Sequence, residues 1–364
     1  MKTTSKQKKR ILVAPLNWGL GHATRCMPII NELLTQNVKV IIASDGTALD
    51  LLRKEYPQLT FVELPAYNVT YKTPNMTWNI ATQAPKIAIA MFREFFALQR
   101  IIRQYKINAV ISDNRYGCWT WKVPTAFITH QVNIQIPNSI LQFLVSRWNY
   151  LVLHLFKTIW IPDVPNEPNI AGELAHNFPI RHAKYIGILS RMKPLKVQQK
   201  YDLGIILSGP EPQRTYLEEK LLQQIEKYQK NYPNTKVLFV KGKMSVEEKI
   251  ETDNLEIYGY LTAKQLNQKM AACRLIIARS GYSTVMDLVA MNKKAILIPT
   301  PGQTEQLYLA RLYQQQYIFY TVAQSEFELA KALNVSKLYQ GFQTNFQAKE
   351  LLQKEVNRLL NSLP

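Results

Sequence analysis

The chain has 364 residues, 47% of them hydrophobic, and 45 basic against 26 acidic residues give it a formal net charge of +19. A single core rarely grows beyond about 250–300 residues, so this length predicts two domains. The charge favours partners that carry phosphate, whether nucleic acid, nucleotide or an anionic bilayer. The three cysteines share no C-x-x-C spacing, which argues against a zinc site and favours a reducing, cytoplasmic compartment: Cys26, Cys118 and Cys273.

In chain order, short apolar runs alternate with longer helical patterns over the first 163 residues. The predicted strands are 11–14, 38–43, 60–64, 109–112, 126–129 and 158–161. The predicted helices are 24–35, 48–55, 84–105 and 139–155. This order is typical of a parallel sheet with helices on both faces, so we assign 1–163 to one doubly wound α/β domain.

A proline-rich polar stretch then interrupts the alternation, and we predict a linker over 164–200. A second α/β domain is predicted over 201–340, and the segment 341–364 is expected to form a helix that packs back. The predicted strands of the second domain are 202–208, 236–240, 255–258, 275–278 and 295–299. Its predicted helices are 213–230, 263–272, 283–291 and 305–315. Two facing Rossmann-like domains would place a ligand in the cleft between them, at the carboxyl ends of the strands.

The positive charge is concentrated in the first domain. Between Leu64 and Trp160 the only acidic residues are Glu94 and Asp113, against ten Lys or Arg and many aromatic side chains. Such a surface suits the face of an anionic membrane, and the alternative is ordinary solvated charge. The stretch "SILQFLVSRWNYLVLHLFKTIWIP" contains charged and polar residues, so we expect an interfacial or interdomain helix and not a membrane span. The N-terminal "MKTTSKQKKR" is interpreted as a basic cytoplasmic tail.

The segment "PLNWGLGHATR" connects the first strand to the first helix. Gly19 and Gly21 allow a ligand to approach the backbone, and the start of the helix offers free N–H groups. The third glycine of the dinucleotide fingerprint is absent, and Asp45 is the nearest candidate for its acidic residue, so NAD is disfavoured. A helix N-terminus disfavours an imidazolium, so His22 would be a neutral base. The alternative is a histidine that only caps the helix.

Two further strand ends carry polar groups in this domain. In "AVISDNRYG", Asp113 follows the fourth strand on the same sheet edge as His22, and its carboxylate could orient the imidazole. Alternatively, Asp113 caps its own loop. In "FITHQVN", His130, Gln131 and Asn133 follow the next strand and could line an acceptor pocket or form a turn.

The second domain carries the polar groups expected at a nucleotide site. The turn at Ser208 and Gly209 is compatible with phosphate, whereas Lys241 and Lys243 are more simply a solvated pair. In "RSGYSTVMD" the helix start could direct N–H groups at a diphosphate, and Asp287 could accept ribose hydroxyls. In "PTPGQTEQ" a carboxylate and an amide could read sugar hydroxyls. The residues of these two segments are Arg279, Ser280, Gly281, Ser283, Thr284, Asp287, Glu305 and Gln306.

These segments together resemble a GT-B glycosyltransferase of family 28. "RSGYSTVMD" resembles the family's diphosphate and ribose segment, and "YGYLTAKQL" resembles its uracil segment, which points to Tyr260 and Leu261. The pair Glu305-Gln306 resembles the family's donor-sugar pair, and "SGPEPQ" stands where the family has a Gly-Gly-Ser loop. "NWGLGH" resembles the family's Gly-rich loop ending in histidine, and "THQVN" resembles its acceptor segment. The run Gly-x-Gly-His-x-x-Arg-Cys is also similar to nucleotide-sugar hydrolases of pseudaminic acid synthesis.

The resemblance implies a GT-B fold with an N-terminal acceptor domain, a C-terminal nucleotide-sugar domain and no bound metal or other cofactor. We therefore predict an inverting transfer from a UDP-sugar to a hydroxyl of a lipid-linked or amphipathic acceptor, by a cytoplasmic enzyme on the membrane surface. In this prediction His22 and Asp113 are catalytic, and Gly19, Gly21, His130 and Asn133 contact the acceptor. The alternatives are a hydrolase that uses His22 to activate water, a nonhydrolysing epimerase, and a nucleic-acid-binding protein. The sequence contains no RNP or helix-turn-helix signal for nucleic acid.

Overall fold

The computed structural model describes residues 8–70, 79, 82–135, 139–178, 180–244, 248–343, 346 and 348–363. Its strands form two seven-stranded sheets, one in each half of the chain. The N-terminal sheet has the order β3-β2-β1-β4-β5-β6-β7, and every neighbouring pair is parallel. Its strands are β1 Arg10–Pro15, β2 Lys39–Ser44, β3 Thr60–Glu63, β4 Ala109–Asp113, β5 Thr125–Ile128, β6 Thr158–Ile161 and β7 Ala183–Tyr185.

The C-terminal sheet has the order β10-β11-β9-β8-β12-β13-β14, and it is parallel except for the pair β10–β11. Both sheets therefore have the doubly wound arrangement expected from alternating strands and helices. The strands are β8 Tyr201–Ile206, β9 Val237–Val240, β10 Lys249–Glu251, β11 Leu255–Tyr258, β12 Cys273–Ala278, β13 Ala295–Leu297 and β14 Tyr320–Thr321.

The helices follow the strands in the order that the apolar periodicity predicts, except for the short helix Leu329–Val335, which the sequence analysis does not predict. We label them α1 Gly21–Thr35, α2 Gly46–Glu55, α3 Ala84–Tyr105, α4 Ser139–Leu153, α5 Gln213–Asn231, α6 Ala263–Ala271, α7 Tyr282–Ala290, α8 Thr304–Gln315, α9 Leu329–Val335 and α10 Ala348–Asn361. Among the described residues, every helix is too short or too polar to cross a bilayer.

The segment predicted as a linker is not wholly irregular. Within 164–200 the chain forms β7, which pairs with β6 and extends the edge of the N-terminal sheet. A three-residue strand has no detectable periodicity, so the sequence pattern alone does not indicate it. At the other end of the chain, α10 packs against α1. It also contacts the segment before β1, because Lys9 Nζ donates to the carbonyl of Leu360 at 2.5 Å.

One continuous apolar core joins the two halves. It contains side chains of β1 and α1 together with side chains of α7, α8 and the connecting segment, among them Ile170 and Tyr313. The Tyr313 hydroxyl donates to the carbonyl of Ile170 at 2.8 Å, and the Tyr282 hydroxyl donates to the carbonyl of Pro162 at 2.8 Å. The carboxyl ends of the two sheets therefore meet at a packed junction between the lobes.

Candidate active site

The glycine-rich turn before α1 lies at this junction. Gly19 has a φ of +76° and open space around it. A Cβ atom on Gly21 would lie 2.9 Å from Ser283 Oγ, and this hydroxyl donates to the Gly21 carbonyl at 3.1 Å. Gly21 is thus required for the close approach of α7, and the Ser283 hydroxyl contacts the opposite lobe.

His22 lies beside Asp113, as the strand order predicts. β1 and β4 are neighbours in register, with Pro15 opposite Asp113, so the turn after β1 and the end of β4 share one edge. His22 Nδ1 lies 3.1 Å from Asp113 Oδ1. Burial, followed by the Arg25 charge, lowers the pKa of His22, although Asp113 acts in the opposite direction. The imidazole is therefore neutral near pH 7, as expected, but burial and not the helix dipole is the main cause.

Arg25, which the sequence reasoning missed, is the buried centre of this cluster. Its Nε donates to Asp113 Oδ2 at 2.6 Å, and its Nη2 donates to Asp113 Oδ1 and lies 2.9 Å from His22 Nδ1. Burial alone would raise the pKa of Asp113, but Arg25 and His22 outweigh it and hold this pKa well below its usual range. The three-residue spacing of His22 and Arg25 on one helix is the only sequence signal for this contact.

His130 and Glu305 contact each other across the two lobes. His130 Nε2 lies 3.1 Å from Glu305 Oε1, and Gln131 Nε2 donates to Glu305 Oε2. The Tyr282 ring stacks on His130 with centroids 4.0 Å apart and an interplanar angle of 6°. Burial would raise the pKa of Glu305, but His130 and Arg25 lower it. His130 and Glu305 thus form an interlobe pair, and their acceptor and sugar contacts stay predictions.

Two predicted site residues stabilise loops. Asn133 Nδ2 donates to the carbonyls of Glu173 and His176, both at 2.7 Å, so Asn133 ties its loop to the connecting segment. Gln306 Oε1 accepts the Thr300 N–H at 2.8 Å, which holds the turn before α8. The roles of Asn133 in acceptor binding and of Gln306 in sugar binding stay predictions, and these contacts show that both amides also hold their own loops.

The residues just before α7 also form hydrogen bonds to neighbouring loops. Arg279 is buried, and its guanidinium donates to the carbonyls of Gln213, Ile298 and Pro299 at 2.7–3.3 Å. Burial lowers the pKa of Arg279 to about 10. Ser280 Oγ donates to the carbonyl of Gln306 at 2.9 Å. Arg279 and Ser280 therefore hold the loops around the helix start and do not reach the cleft.

The remaining part of the helix start is open to a ligand. Gly281 is the N-cap residue of α7, and Thr284 lies in its first turn. Opposite them, Gly209 has a φ of +108°, and a Cβ atom there would lie 3.9 Å from Thr300 Oγ1. This threonine hydroxyl is buried and has no hydrogen-bond partner. The turn at Ser208 and Gly209 thus stands where the sequence predicts a phosphate-compatible loop.

The predicted nucleoside residues lie beside α7, close to Arg191. The Asp287 carboxylate accepts the Ser190 hydroxyl at 2.6 Å, and burial raises the pKa of Asp287. The Tyr260 hydroxyl donates to Glu55 of the other lobe at 3.3 Å, and Leu261 is buried beside it. Arg191, which the sequence reasoning also missed, is close enough to lower the pKa values of Asp287 and Tyr260 against the larger effect of burial.

The Arg191 guanidinium is the clearest sign of a ligand beside α7. Its Nε and Nη1 atoms are buried and have no hydrogen-bond partner. Buried unsatisfied donors are uncommon and call for an explanation, and a bound anion or carbonyl would supply one. By contrast, Lys241 and Lys243 are paired with Glu218 at 3.1 and 2.9 Å. Within the described ranges, no group of His, Cys, Asp and Glu side chains is placed to hold a metal ion.

Comparisons with known proteins agree with this geometry. Residues 208–360 match the glycosyltransferase family 28 C-terminal domain. The chain is 22% identical over 79% of its length to the UDP-N-acetylglucosamine--N-acetylmuramyl-(pentapeptide) pyrophosphoryl-undecaprenol N-acetylglucosamine transferase of Methylobacterium nodulans, of which 76% is covered. It is 20% identical to an uncharacterized glycosyltransferase of Methanosarcina acetivorans, with 84% of each chain covered. The crystal structure of Acinetobacter baumannii MurG superposes with a TM-score of 0.59 at 14% identity, covering 98% of this chain and 99% of that one.

The two facing sheets have the fold of the GT-B glycosyltransferases. The C-terminal lobe carries the glycosyltransferase family 28 C-terminal domain over residues 208–360.

Proposed function

We propose that this enzyme transfers a sugar from a UDP-sugar to a hydroxyl group of a lipid-linked or amphipathic acceptor, with inversion at the anomeric carbon. The observation that carries the proposal is the His22 imidazole, 3.1 Å from Asp113, at the junction with the start of α7. The proposed reaction uses the nucleotide-sugar as substrate and needs no further cofactor.

His22 is the general base in this reaction. Its Nδ1 lies beside the Asp113 carboxylate, which only accepts, and beside Arg25 Nη2, which only donates. Because Nη2 already donates to Asp113 Oδ1, the proposed ring form carries its proton on Nδ1 and donates it to Asp113. Nε2 then has a free lone pair and removes the proton from the acceptor hydroxyl. The acceptor oxygen forms a bond to the anomeric carbon, and the bond from that carbon to the diphosphate breaks, so that the diphosphate leaves with the electron pair.

The C-terminal lobe binds the nucleotide in this proposal. The N-terminus of α7 and the Arg191 guanidinium, whose Nε and Nη1 are without a partner, provide positive charge for the diphosphate. Asp287 accepts ribose hydroxyls, and Tyr260 and Leu261 line the base pocket. Uridine is preferred because the relative from Methylobacterium nodulans is named for a UDP-sugar donor. A hydrolase with the same site would release free sugar from the donor when no acceptor is present.

The Asp287 assignment predicts a loss of nucleotide affinity. Replacing Asp287 by alanine is expected to weaken UDP binding about tenfold or more, because hydrogen bonds to a charged group contribute about 1.5–3 kcal/mol. Isothermal titration calorimetry with UDP measures this effect. The matched control is Asp253→Ala, an exposed aspartate of the same lobe, which should bind UDP as the wild type does. Equal affinity in the Asp287→Ala variant would remove the ribose assignment.

An amphipathic acceptor is supported by an apolar surface on the N-terminal lobe. We name it the aromatic face: large side chains of α3, α4 and the loop after β4 are exposed there, including Trp121 at 81% and Phe92 at 66%. The rings of Phe92 and Phe96 lie 4.8 Å apart, and those of Trp119 and Trp121 lie 4.6 Å apart. The same two helices and loop carry basic residues, namely Lys86, Arg93, Arg100, Arg103, Lys122 and Arg147.

An anionic bilayer is the partner that this combination of apolar and basic groups fits. Apolar side chains enter the headgroup region, and each basic residue near the surface adds about 1 kcal/mol. We therefore propose that the enzyme works in the cytoplasm, bound peripherally to the inner face of the plasma membrane.

The aromatic face predicts binding to anionic vesicles. In a flotation assay with phosphatidylglycerol vesicles, the double variant Phe92→Ser/Leu144→Ser should bind at least about tenfold more weakly, because burying one large apolar side chain contributes about 1.5–3 kcal/mol. Leu338→Ser on the other lobe, where the leucine is 69% exposed, is the control and should bind normally. Equal binding of both variants would rule out this surface.

A further inference from the structure

We propose that Arg25 is a positioning residue: one guanidinium holds Asp113, faces His22 and, through His130, connects this pair to Glu305 of the opposite lobe. The inference deepens the proposed function, since it concerns the environment of the proposed base. It assigns to Arg25 no contact with substrate.

The position of Arg25 makes this role possible. His22 and Arg25 lie one turn apart on α1, so both side chains leave the same face of the helix. Arg25 is buried with 2% of its side chain exposed, and the guanidinium fork places Nε and Nη2 on the two oxygens of Asp113. A bidentate pair of this kind fixes the plane of the carboxylate as well as its position. Asp113 can therefore present Oδ1 to His22 in one orientation only.

The other arm of the guanidinium determines the proton position on His130. Arg25 Nη1 lies 3.0 Å from His130 Nδ1. Because arginine can only donate, His130 Nδ1 must accept, and the proton of the neutral ring is then on Nε2. This Nε2 is buried without a hydrogen-bond partner and lies 3.1 Å from Glu305 Oε1, so the two are in ion-pair contact. The stacked Tyr282 ring, also from the C-terminal lobe, keeps the His130 ring in this plane.

The contacts form a continuous chain between the lobes. It runs from His22 and Asp113 through Arg25 to His130 and ends at Glu305 on α8. The charged or titratable groups that face His22 in this arrangement are Arg25 on its own helix, Asp113 after β4, His130 after β5 and Glu305 from the other lobe. Glu305 belongs to the other lobe, so the environment of the base depends on the contact between the lobes.

The charge of Arg25 has a measurable consequence for His22. Arg25 favours the neutral imidazole, whereas Asp113 favours the protonated one. Removing the arginine charge leaves Asp113 without its counter-charge, so the pKa of His22 must rise. A nearby charge shifts a pKa by about 1–3 units, which is well within the range of a titration. Lysine at the same position would keep the charge but could not hold Asp113 and His130 together, because it lacks the planar fork.

The test uses the full-length protein with selectively nitrogen-15-labelled histidine, followed by NMR over a range of pH. The chain has five histidines, so the spectra are simple, and His22→Gln and His130→Gln variants identify the two signals. We expect the titration midpoint of His22 to rise by about one pH unit or more in Arg25→Gln. In Arg25→Lys it should remain close to the wild-type value. Arg53→Gln, at an exposed arginine of the same lobe, should leave the midpoint unchanged.

A second readout needs no variant of Arg25. Imidazole nitrogen shifts in the wild type report which nitrogen carries the proton, and we expect Nε2–H for His130. A proton on His130 Nδ1, or an unmoved His22 midpoint in a folded Arg25→Gln protein, would overturn the proposal. If Arg25→Gln does not fold, the proposal is tested by the tautomer of His130 in the wild type and by the titration of His22 in Arg25→Lys. These outcomes are separate from the role of His22 as a base, which is tested by the activity of a His22 variant.

Discussion

Replacing His22 by alanine is expected to lower the rate of sugar transfer by about 10²–10⁴-fold, because this is the contribution of a positioned general base. The affinity for UDP should be unchanged, since the imidazole lies in the N-terminal lobe and the proposed nucleotide residues lie in the loop before α6, on α7 and in the connecting segment. Transfer from a panel of labelled UDP-sugars measures the rate, and calorimetry with UDP measures the affinity. A thermal shift screen of nucleotide-sugars first identifies the donor to be used.

The control for this experiment is His154→Ala. His154 is exposed, and its Nδ1 contacts the carbonyl of Tyr150 at 2.7 Å, so its loss should leave the rate near the wild-type value. A His22→Ala enzyme with near wild-type turnover would mean that the imidazole only caps α1. If the wild type releases free sugar equally fast with and without acceptor, water is the acceptor and the enzyme is a hydrolase.

The second large effect concerns stability and centres on Arg115. This arginine is fully buried, and it donates to Asp45 Oδ1 at 2.8 Å, to the carbonyl of Pro65 at 2.8 Å and to Glu94. Arg115→Ala should lower the free energy of unfolding by about 3–5 kcal/mol, because it leaves two buried carboxylates without their counter-charge. Asp45 is thus engaged in the structure of the lobe, which agrees with the sequence argument against a dinucleotide site.

Tryptophan fluorescence during urea unfolding measures this effect on the right lobe. All six tryptophans lie between Trp18 and Trp160, so the signal reports the N-terminal half of the chain. The control is Arg53→Ala, because Arg53 forms an exposed pair with Asp50 at 3.3 Å, and such pairs contribute about 0–1 kcal/mol. An equal, small loss in both variants would mean that water compensates the buried carboxylates and that the Arg115 cluster adds little stability.

The elements with strong periodicity could be predicted closely. Helix α3 is predicted over 84–105 and is observed as Ala84–Tyr105, and β11 is predicted over 255–258 and is observed as Leu255–Tyr258. Strands β7, β10 and β14 have two or three residues each and escape prediction, because they exist only through pairing with a neighbour at a sheet edge.

The pair of His22 and Asp113 also follows from the sequence. His22 follows the turn after the first apolar run, Asp113 follows the fourth, and in a doubly wound sheet the carboxyl ends of neighbouring parallel strands share an edge. That argument needs only the order of strands, and the observed distance of 3.1 Å agrees with it. The catalytic roles of the two residues remain predictions.

The order of strands and helices, and the sheet edge that carries the polar residues, are encoded locally, because apolar periodicity is a property of neighbouring positions in the chain. Packing alone decides how those polar residues pair. His130 and Glu305 are separated by 175 positions and meet only because the lobes close on each other. Arg25 and Arg191 differ from other arginines only in what surrounds them after folding. Burial removes water as a hydrogen-bond partner. The groups around such a side chain in the folded protein therefore determine whether it stabilises a loop, orients a base or stays free to bind a ligand.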